Sequence, residues 1–273
     1  MPDLNRLVDF LDRHQRLLVL TGAGLSTASG IPDYRDDRGD WKRQQPVQYA
    51  DFVVSPSVRR RYWARSLIGW RHMHRARPNG AHHALVRLER LAKVEQLVTQ
   101  NVDRLHQQAG SRDVIDLHGR IDRVICTGCR STLTRAAFQD QLSELNPGWD
   151  EIAGTRAPDG DADLPETDFS GFTVPDCPSC GGIWKPDVVF FGEAVPKARS
   201  TRAMTALAAA HALLVIGTSL MVYSGFRFAR EAASQGIPIV AVNIGMTRAY
   251  DLLAFMVPVR CDELLPGGLR QIG

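Results

Sequence analysis

Four of the five cysteines stand as two pairs, Cys126-x2-Cys129 and Cys177-x2-Cys180. Each pair can present two thiolates from one tight knuckle, and four thiolates complete a tetrahedral zinc shell with no position left for substrate. Redox use of one pair is the competing chemistry, but two pairs favour a metal that holds structure and does no chemistry. The 47 residues between Cys129 and Cys177 exceed a ribbon spacing, so a long loop must lie inside the zinc module. A second candidate is Gly22-Ala23-Gly24-Leu25-Ser26, directly after the apolar run Leu17–Leu20, where backbone N–H groups could approach a phosphate. Thr27 stands where a dehydrogenase fingerprint has its third glycine, and no acid clearly closes a second strand to hold a ribose, so a plain strand-to-helix turn stays open. A third is His118, between the apolar run Val114–Leu117 and Gly119. An imidazole of pKa about 6.5 can act as a base near neutral pH, although a lone histidine is more often structural. His82, His83 and His106 take that structural reading. Gln100, Asn101 and Asp103 follow a strand ending at Thr99 and could equally cap the next helix.

These groups need a frame. Apolar positions 4, 7, 8 and 11 have the helical period, and the run at 17–20 that follows reads as a buried strand. Further apolar runs at 96–99, 114–117, 188–191, 213–216 and 237–242 alternate with helix-like stretches such as 81–91 and 229–235. That alternation predicts an α/β fold, with a Rossmann-like parallel sheet covered on both faces. Residues 36–77, polar, rich in Arg and Trp and mostly helical in pattern, and residues 123–183, holding both cysteine pairs, break it and read as insertions. The expected division is a nucleotide-binding domain of 1–35, 78–122 and 184–273, with a smaller lobe made of the 36–77 helical insertion and the 123–183 zinc-binding module. The acidic stretch 150–168 carries seven carboxylates and one arginine and reads as a solvated loop.

Lys+Arg minus Asp+Glu is 33 − 30 = +3, too small a surplus to demand a polyanion. From 52 to 88 there is no acid, while Arg59, Arg60, Arg61, Arg65, Arg71 and Arg75 accompany Tyr62, Trp63 and Trp70. The surplus is local, which favours a solvated face or an acidic-substrate pocket over nucleic acid. The longest uncharged run, 203–226, is broken by His211, Gly217, Thr218 and Ser219 and reads as a helix end and a buried strand, not a membrane span. Paired cysteines suit a reducing compartment, and Asp3, Asp9 and Asp12 are unlike a presequence, so a cytoplasmic location is expected. Nothing in the chain speaks to oligomeric state.

The segment GAGLSTASGIPDYR at 22–35, TQNVDRLH at 99–106, His118-Gly119 and Gly217-Thr-Ser-Leu220, in this order with two CxxC pairs between them, resemble the sirtuins over about residues 4–265. KPDVVFFGE at 185–193, Val222-Tyr223-Ser224 and RYWAR at 61–65 resemble class II of that family, the group of the fourth human sirtuin. The resemblance implies NAD as co-substrate, one structural zinc and removal of acyl groups from protein lysine. The acyl oxygen would attack the nicotinamide ribose, nicotinamide would leave, His118 would help the ribose hydroxyl attack, and O-acyl-ADP-ribose would form. It also implies that Gly22, Ala23, Gly24, Ser26 and Arg35 line the phosphate and ribose path, with Ile31, Pro32, Asp33 and Tyr34 near the nicotinamide. Gln100 would contact the ribose, Asn101 would position the reacting sugar or a water, and Asp103 would bind the carboxamide. Gly217, Thr218, Ser219, Asn243, Gly245 and Cys261 would complete the adenosine side, Cys261 mainly through its backbone. The acylated peptide would add as a strand between Val189, Phe191, Gly192 and Glu193 on one side and Val222 on the other.

Tyr62 and Arg65, at i and i+3, share one helix face, and a planar fork with a phenol matches a carboxylate. With no local acid, Arg65 is expected to recognise a glutaryl-like or hydroxymethylglutaryl-like acyl group; the bland alternative is an ion pair with a distant acid. Mono-ADP-ribosyl transfer, an NAD or ADP-ribose sensor and an ordinary dehydrogenase are the competing functions.

Overall fold

The computed structural model describes residues 2–43, 45–164 and 167–268. Strand β1 (Leu17–Thr21) is buried at every position, which suits the middle of a sheet covered on both faces. It pairs in parallel with β2 (Val94–Thr99) and with β9 (Ala212–Ile216). Beyond β2 lies β3 (Val114–Asp116), and beyond β9 lie β10 (Ile239–Val242) and β11 (Phe255–Val257), giving the order β11-β10-β9-β1-β2-β3 with every pairing parallel. The chain works outward from β1 to β3, then returns and works outward from β9 to β11. The direction reverses between β1 and β9, and that reversal leaves a crevice at the carboxyl ends of these two strands.

Alternate residues of each strand face opposite layers. Val19, Leu214 and Val240 pack with Leu7 and Leu11 of α1 (Pro2–Arg13), Leu85 of α4 (Gly80–Arg90) and Leu265 of α9 (Cys261–Gly268). Leu18, Leu20 and Val215 pack with Leu207 of α7 (Lys197–Ala209) and Phe228 of α8 (Tyr223–Ser234). The run at 203–226 is thus the end of α7, then β9, then the start of α8, and no helix among the described residues is long and apolar enough to cross a membrane.

The smaller lobe is built on an antiparallel sheet of order β5-β4-β8, formed by β4 (Gly119–Cys126), β5 (Thr132–Thr134) and β8 (Trp184–Val188). Helices α2 (Tyr49–Val54), α3 (Pro56–Arg75) and α6 (Arg135–Leu145) close an aromatic core of Phe52, Trp63, Phe138, Phe172 and Trp184. Three expectations need correction. The strand expected at 188–191 is Trp184–Val188, because the chain turns at Phe190, whose N–H donates to the Glu193 carboxylate at 2.8 Å. Strands β4 and β8 pair with each other, so domain limits drawn at 122 and 184 cut through one sheet. The helical pattern of 36–77 begins only at Tyr49. Strand β11 was not anticipated, being three residues long with little pattern to read.

The two halves of the large sheet meet where Gly24 N–H donates to the Gly217 carbonyl at 2.8 Å. Gly217 has φ +60, and a Cβ there would stand 2.4 Å from Leu25 N. Gly217→Ala is therefore expected to lower unfolding free energy by roughly 2 kcal/mol or more. Gly236→Ala, at φ +69 with nothing near a Cβ, should lose only about 1 kcal/mol. Denaturant unfolding of both variants checks the difference.

Candidate active site

A cavity of about 1040 Å³ runs from the crevice between β1 and β9 to the smaller lobe. Its end at the sheet is made by Gly22, Ala23 and Gly24, by Gly217, Thr218 and Ser219, and by Asn243 and Cys261. A Cβ on Gly22 would stand 2.6 Å from Thr218 Cβ, so the glycine serves close strand approach as well as ligand access. Within the loop, the N–H groups of Gly22, Gly24, Leu25 and Ser26 all reach backbone carbonyls. Among the described residues that leaves the Ala23 N–H without a backbone acceptor, directed to the start of a short helical turn where an anion is favoured.

Ser26, Asn101 and Asp103 form a buried polar knot behind this loop. Asn101 Nδ2 donates to Gly22 O at 3.0 Å and to Ser26 Oγ at 3.1 Å, and Ser26 Oγ donates to Asp103 Oδ2 at 2.6 Å. Burial raises the Asp103 pKa, against the bonds from Ser26 and from Leu105 N–H, which lower it. Of the knot, only Asn101 reaches the cavity wall; Ser26 and Asp103 lie behind it. Gln100 Nε2 donates to Thr218 Oγ1 at 3.0 Å, tying the β2 and β9 ends together. Asn79, which no sequence argument singled out, caps α4 and donates to Leu25 O and Ser29 Oγ, fixing the glycine loop from below. Asparagine just ahead of a helical period was the available signal.

His118 stands in the middle of the cavity wall. Its Nδ1 lies 3.0 Å from the Gln100 carbonyl, which only accepts, so Nδ1 carries the proton. Nε2 is then the bare nitrogen and accepts from Ser224 Oγ at 2.8 Å. Burial pushes the imidazole pKa down to about 4, more than the Gln100 bond raises it. Neutral His118 therefore presents an unprotonated Nε2, engaged by the Ser224 hydroxyl, toward the cavity. Ser224 was legible only as part of a motif and had no assigned role.

Around His118, Ile31, Pro32, Asp33, Tyr34 and Arg35 line the cavity. Tyr34 meets Trp41 and Phe191 edge to face, Arg35 lies 3.9 Å over the Trp41 ring, and Lys42 binds Asp33 at 2.5 Å. Val189, Phe191, Gly192 and Val222 also line it. Glu193 does too, but its carboxylate turns inward to Lys185 Nζ at 2.9 Å, an otherwise buried ammonium. Gly245 is absent from the lining: a Cβ there would stand 2.3 Å from Asp37 O, so the glycine lets the backbone at Asp37 approach. Cys261 starts α9 with its thiol 3.5 Å from Gly24 O, and burial pushes its pKa up to about 11, so it is no nucleophile at neutral pH.

The reading of Arg65 as a cation without an acid is overturned. Its guanidinium meets Asp161 at 2.8 Å and Asp163 at 3.0 Å, both from the acidic stretch expected to be solvated. Tyr62 packs against Phe52, Trp63 and Phe190, and burial raises its pKa. Sequence spacing could not reveal partners nearly a hundred positions away.

The four paired cysteines converge, with their sulfurs all within 4.8 Å of one another. A Cβ on Gly182 would stand 2.8 Å from Cys126 Sγ, so the knuckle is shaped for closely gathered sulfur. Four thiolates in this cluster fit one structural zinc, held by Cys126, Cys129, Cys177 and Cys180.

The Sir2 family model matches residues 22–224. The chain belongs to the Sir2 family. It is 60% identical over 259 residues to the NAD-dependent protein deacetylase 2 of Bradyrhizobium diazoefficiens, covering 95% of each chain. It is 57% identical over 265 residues to the NAD-dependent protein deacetylase of Bordetella bronchiseptica, covering 97% of each. A solved Sir2 structure with p53 peptide and NAD+ superposes with a TM-score of 0.81 at 30% identity, over 99% of this chain and 98% of that one. NAD is the co-substrate of sirtuins.

The histidines set a pH dependence for this sirtuin. A neutral His118 is present above its pKa, so an activity that needs it should fall only near pH 4, with a plateau in kcat/KM from pH 5.5 to 8. His82, His106 and His118 all have pKa values lowered by burial. The unfolded chain takes up protons below about pH 6.5 that the fold refuses, so stability should drop between pH 6.5 and 4. Denaturant midpoints at pH 7.5 and 5.5 check the sign.

Proposed function

We propose that this chain is an NAD-dependent protein-lysine deacylase of the class II type, releasing nicotinamide and O-acyl-ADP-ribose. One observation carries the reading: a neutral His118, bare at Nε2, lies on one cavity wall with the glycine crevice and the 188–193 turn. The two deacetylase relatives and the peptide-bound Sir2 structure support it. KPDVVFFGE, Val222-Tyr223-Ser224 and RYWAR support the class.

NAD, when bound, supplies the ribose carbon that receives the acyl oxygen as nicotinamide leaves. The Ala23 N–H and the 217–219 turn hold the phosphates and ribose, with Arg35 beside them. Asn101, anchored to Gly22 and Ser26, orients the reacting sugar, and Asp103 holds the carboxamide side through Ser26 and Asn101. Asn243 and Cys261 shape the adenosine end. His118 Nε2 removes the proton from the attacking ribose hydroxyl, while the Gln100 carbonyl keeps its other proton on Nδ1. An extended acyl-lysine peptide pairs its backbone between the 191–193 turn and Val222, which gives affinity with little sequence selectivity.

The acyl group this geometry supports is small and neutral, acetyl first. The expected preference for glutaryl-like groups needs an unpaired Arg65, and Arg65 has two carboxylates. We place the zinc thiolates, and with them the protein, in a reducing compartment, the cytoplasm.

His118→Ala should keep NAD affinity in calorimetry and lower kcat by roughly 10²–10⁴. Wild-type turnover should release nicotinamide in step with deacetylated peptide, followed by mass spectrometry. Label from NAD appearing on protein instead would mean ADP-ribosyl transfer, and undiminished turnover in the variant would remove His118 from the chemistry. Cys177→Ser, or strong chelation, should destabilise the smaller lobe and release one zinc per chain, read by metal analysis and thermal unfolding.

A further inference from the structure

The cavity is lined, on the side of the smaller lobe, by a group of charges that the proposed deacylase chemistry does not use: Arg43, Arg61, Arg65, Asp161 and Asp163, with Tyr62 beside them. Their arrangement is built into α3. Gly69, one turn beyond Arg65, is where the hairpin of β6 (Thr155–Arg156) and β7 (Ala162–Asp163) seats. A Cβ on Gly69 would stand 2.3 Å from Gly160 O and 2.5 Å from Asp161 C, so the helix has no side chain there because backbone fills the space. Ile68, Ala162 and Leu164 cluster on the same contact.

The seated hairpin delivers its carboxylates to Arg65. Nε donates to Asp161 Oδ1 at 3.0 Å while Nη2 meets Asp161 Oδ2 at 2.8 Å, a two-pronged pairing. Nη2 also donates to Asp163 Oδ1 at 3.0 Å, and Nε donates to the Ala162 carbonyl at 2.8 Å. Asp163 pairs further with Arg43, and burial raises the Asp161 pKa, against the nearby charges of Arg65 and Arg61, which lower it. Asp161 and Asp163 take up the Arg65 donors that a further carboxylate would need, and a third carboxylate brought there would meet two of its own sign. The remaining +1 of the five-residue group sits with Arg61, which is exposed and screened by water.

We propose that Asp161 and Asp163 are specificity-determining residues that occupy the Arg65 fork in place of an acidic acyl group and make the site select neutral acyl-lysines. The inference rests on the deacylase reading and names its substrate class. Replacing both aspartates by asparagine leaves three arginines unopposed around an acyl chain and frees the Arg65 fork.

The test compares kcat/KM for acetyl-lysine and glutaryl-lysine peptides of one sequence, with NAD saturating. Wild type should favour acetyl. Asp161→Asn combined with Asp163→Asn should raise the glutaryl-to-acetyl ratio at least tenfold, and Gly69→Ala, which pushes the hairpin off α3, should move it the same way. Adding Arg65→Met to the double variant should return the ratio toward wild type. General damage to the fold lowers both rates and cannot raise the ratio. A wild type that prefers glutaryl, or a ratio unmoved by both the double variant and Gly69→Ala, overturns the inference while the deacylase reading stands. A wild type that turns over neither peptide overturns both.

Discussion

The sheet end of the cavity depends on the contact between two loop backbones at the carboxyl ends of β1 and β9. Gly24 N–H meets the Gly217 carbonyl at 2.8 Å, and a Cβ on Gly22, Gly24 or Gly217 would collide across that contact. That contact uses the Gly24 N–H, the turn and the β9 end use those of Gly22, Leu25 and Ser26, and among the described residues the Ala23 N–H has no backbone acceptor. The glycine turn and the sheet junction are therefore one structure, and it can tolerate little change.

Beside that contact, the polar residues are held in a dry setting that fixes their protonation. The Gln100 carbonyl decides which nitrogen of His118 is bare, and burial keeps the ring neutral. Asn101, Ser26 and Asp103 satisfy one another and the loop backbone, so the wall of the site is rigid before any ligand arrives. In the smaller lobe, gathered sulfurs do for the knuckles what apolar packing does elsewhere, while the aromatic core around Trp63 supports the turn at Phe190.

Much of this was legible in the sequence because the signals were local. A continuous apolar run followed by a glycine turn specifies a buried strand and its crevice, and β1 is that strand. Two cysteine knuckles specify a four-thiolate cluster, and the sulfurs converge. The motifs from Gly22 to Leu220 specify the family, since their order and spacing carry over to a fold directly.

Tertiary structure alone decided the charge and direction of particular side chains. Arg65 looked unpaired because its own helix has no acid, yet its partners come from a hairpin 96 to 98 positions away. Glu193 looked like a peptide-facing residue until the turn aimed it at Lys185. The His118 imidazole, ordinary by residue type, becomes a weak base only when the completed fold buries it, against the opposing hydrogen bond to the Gln100 carbonyl. Periodicity and motif spacing are set by covalent neighbours, and so can be read from the chain. Electrostatic partners and burial are set by whatever the completed fold brings within a few ångströms, and no local pattern encodes them.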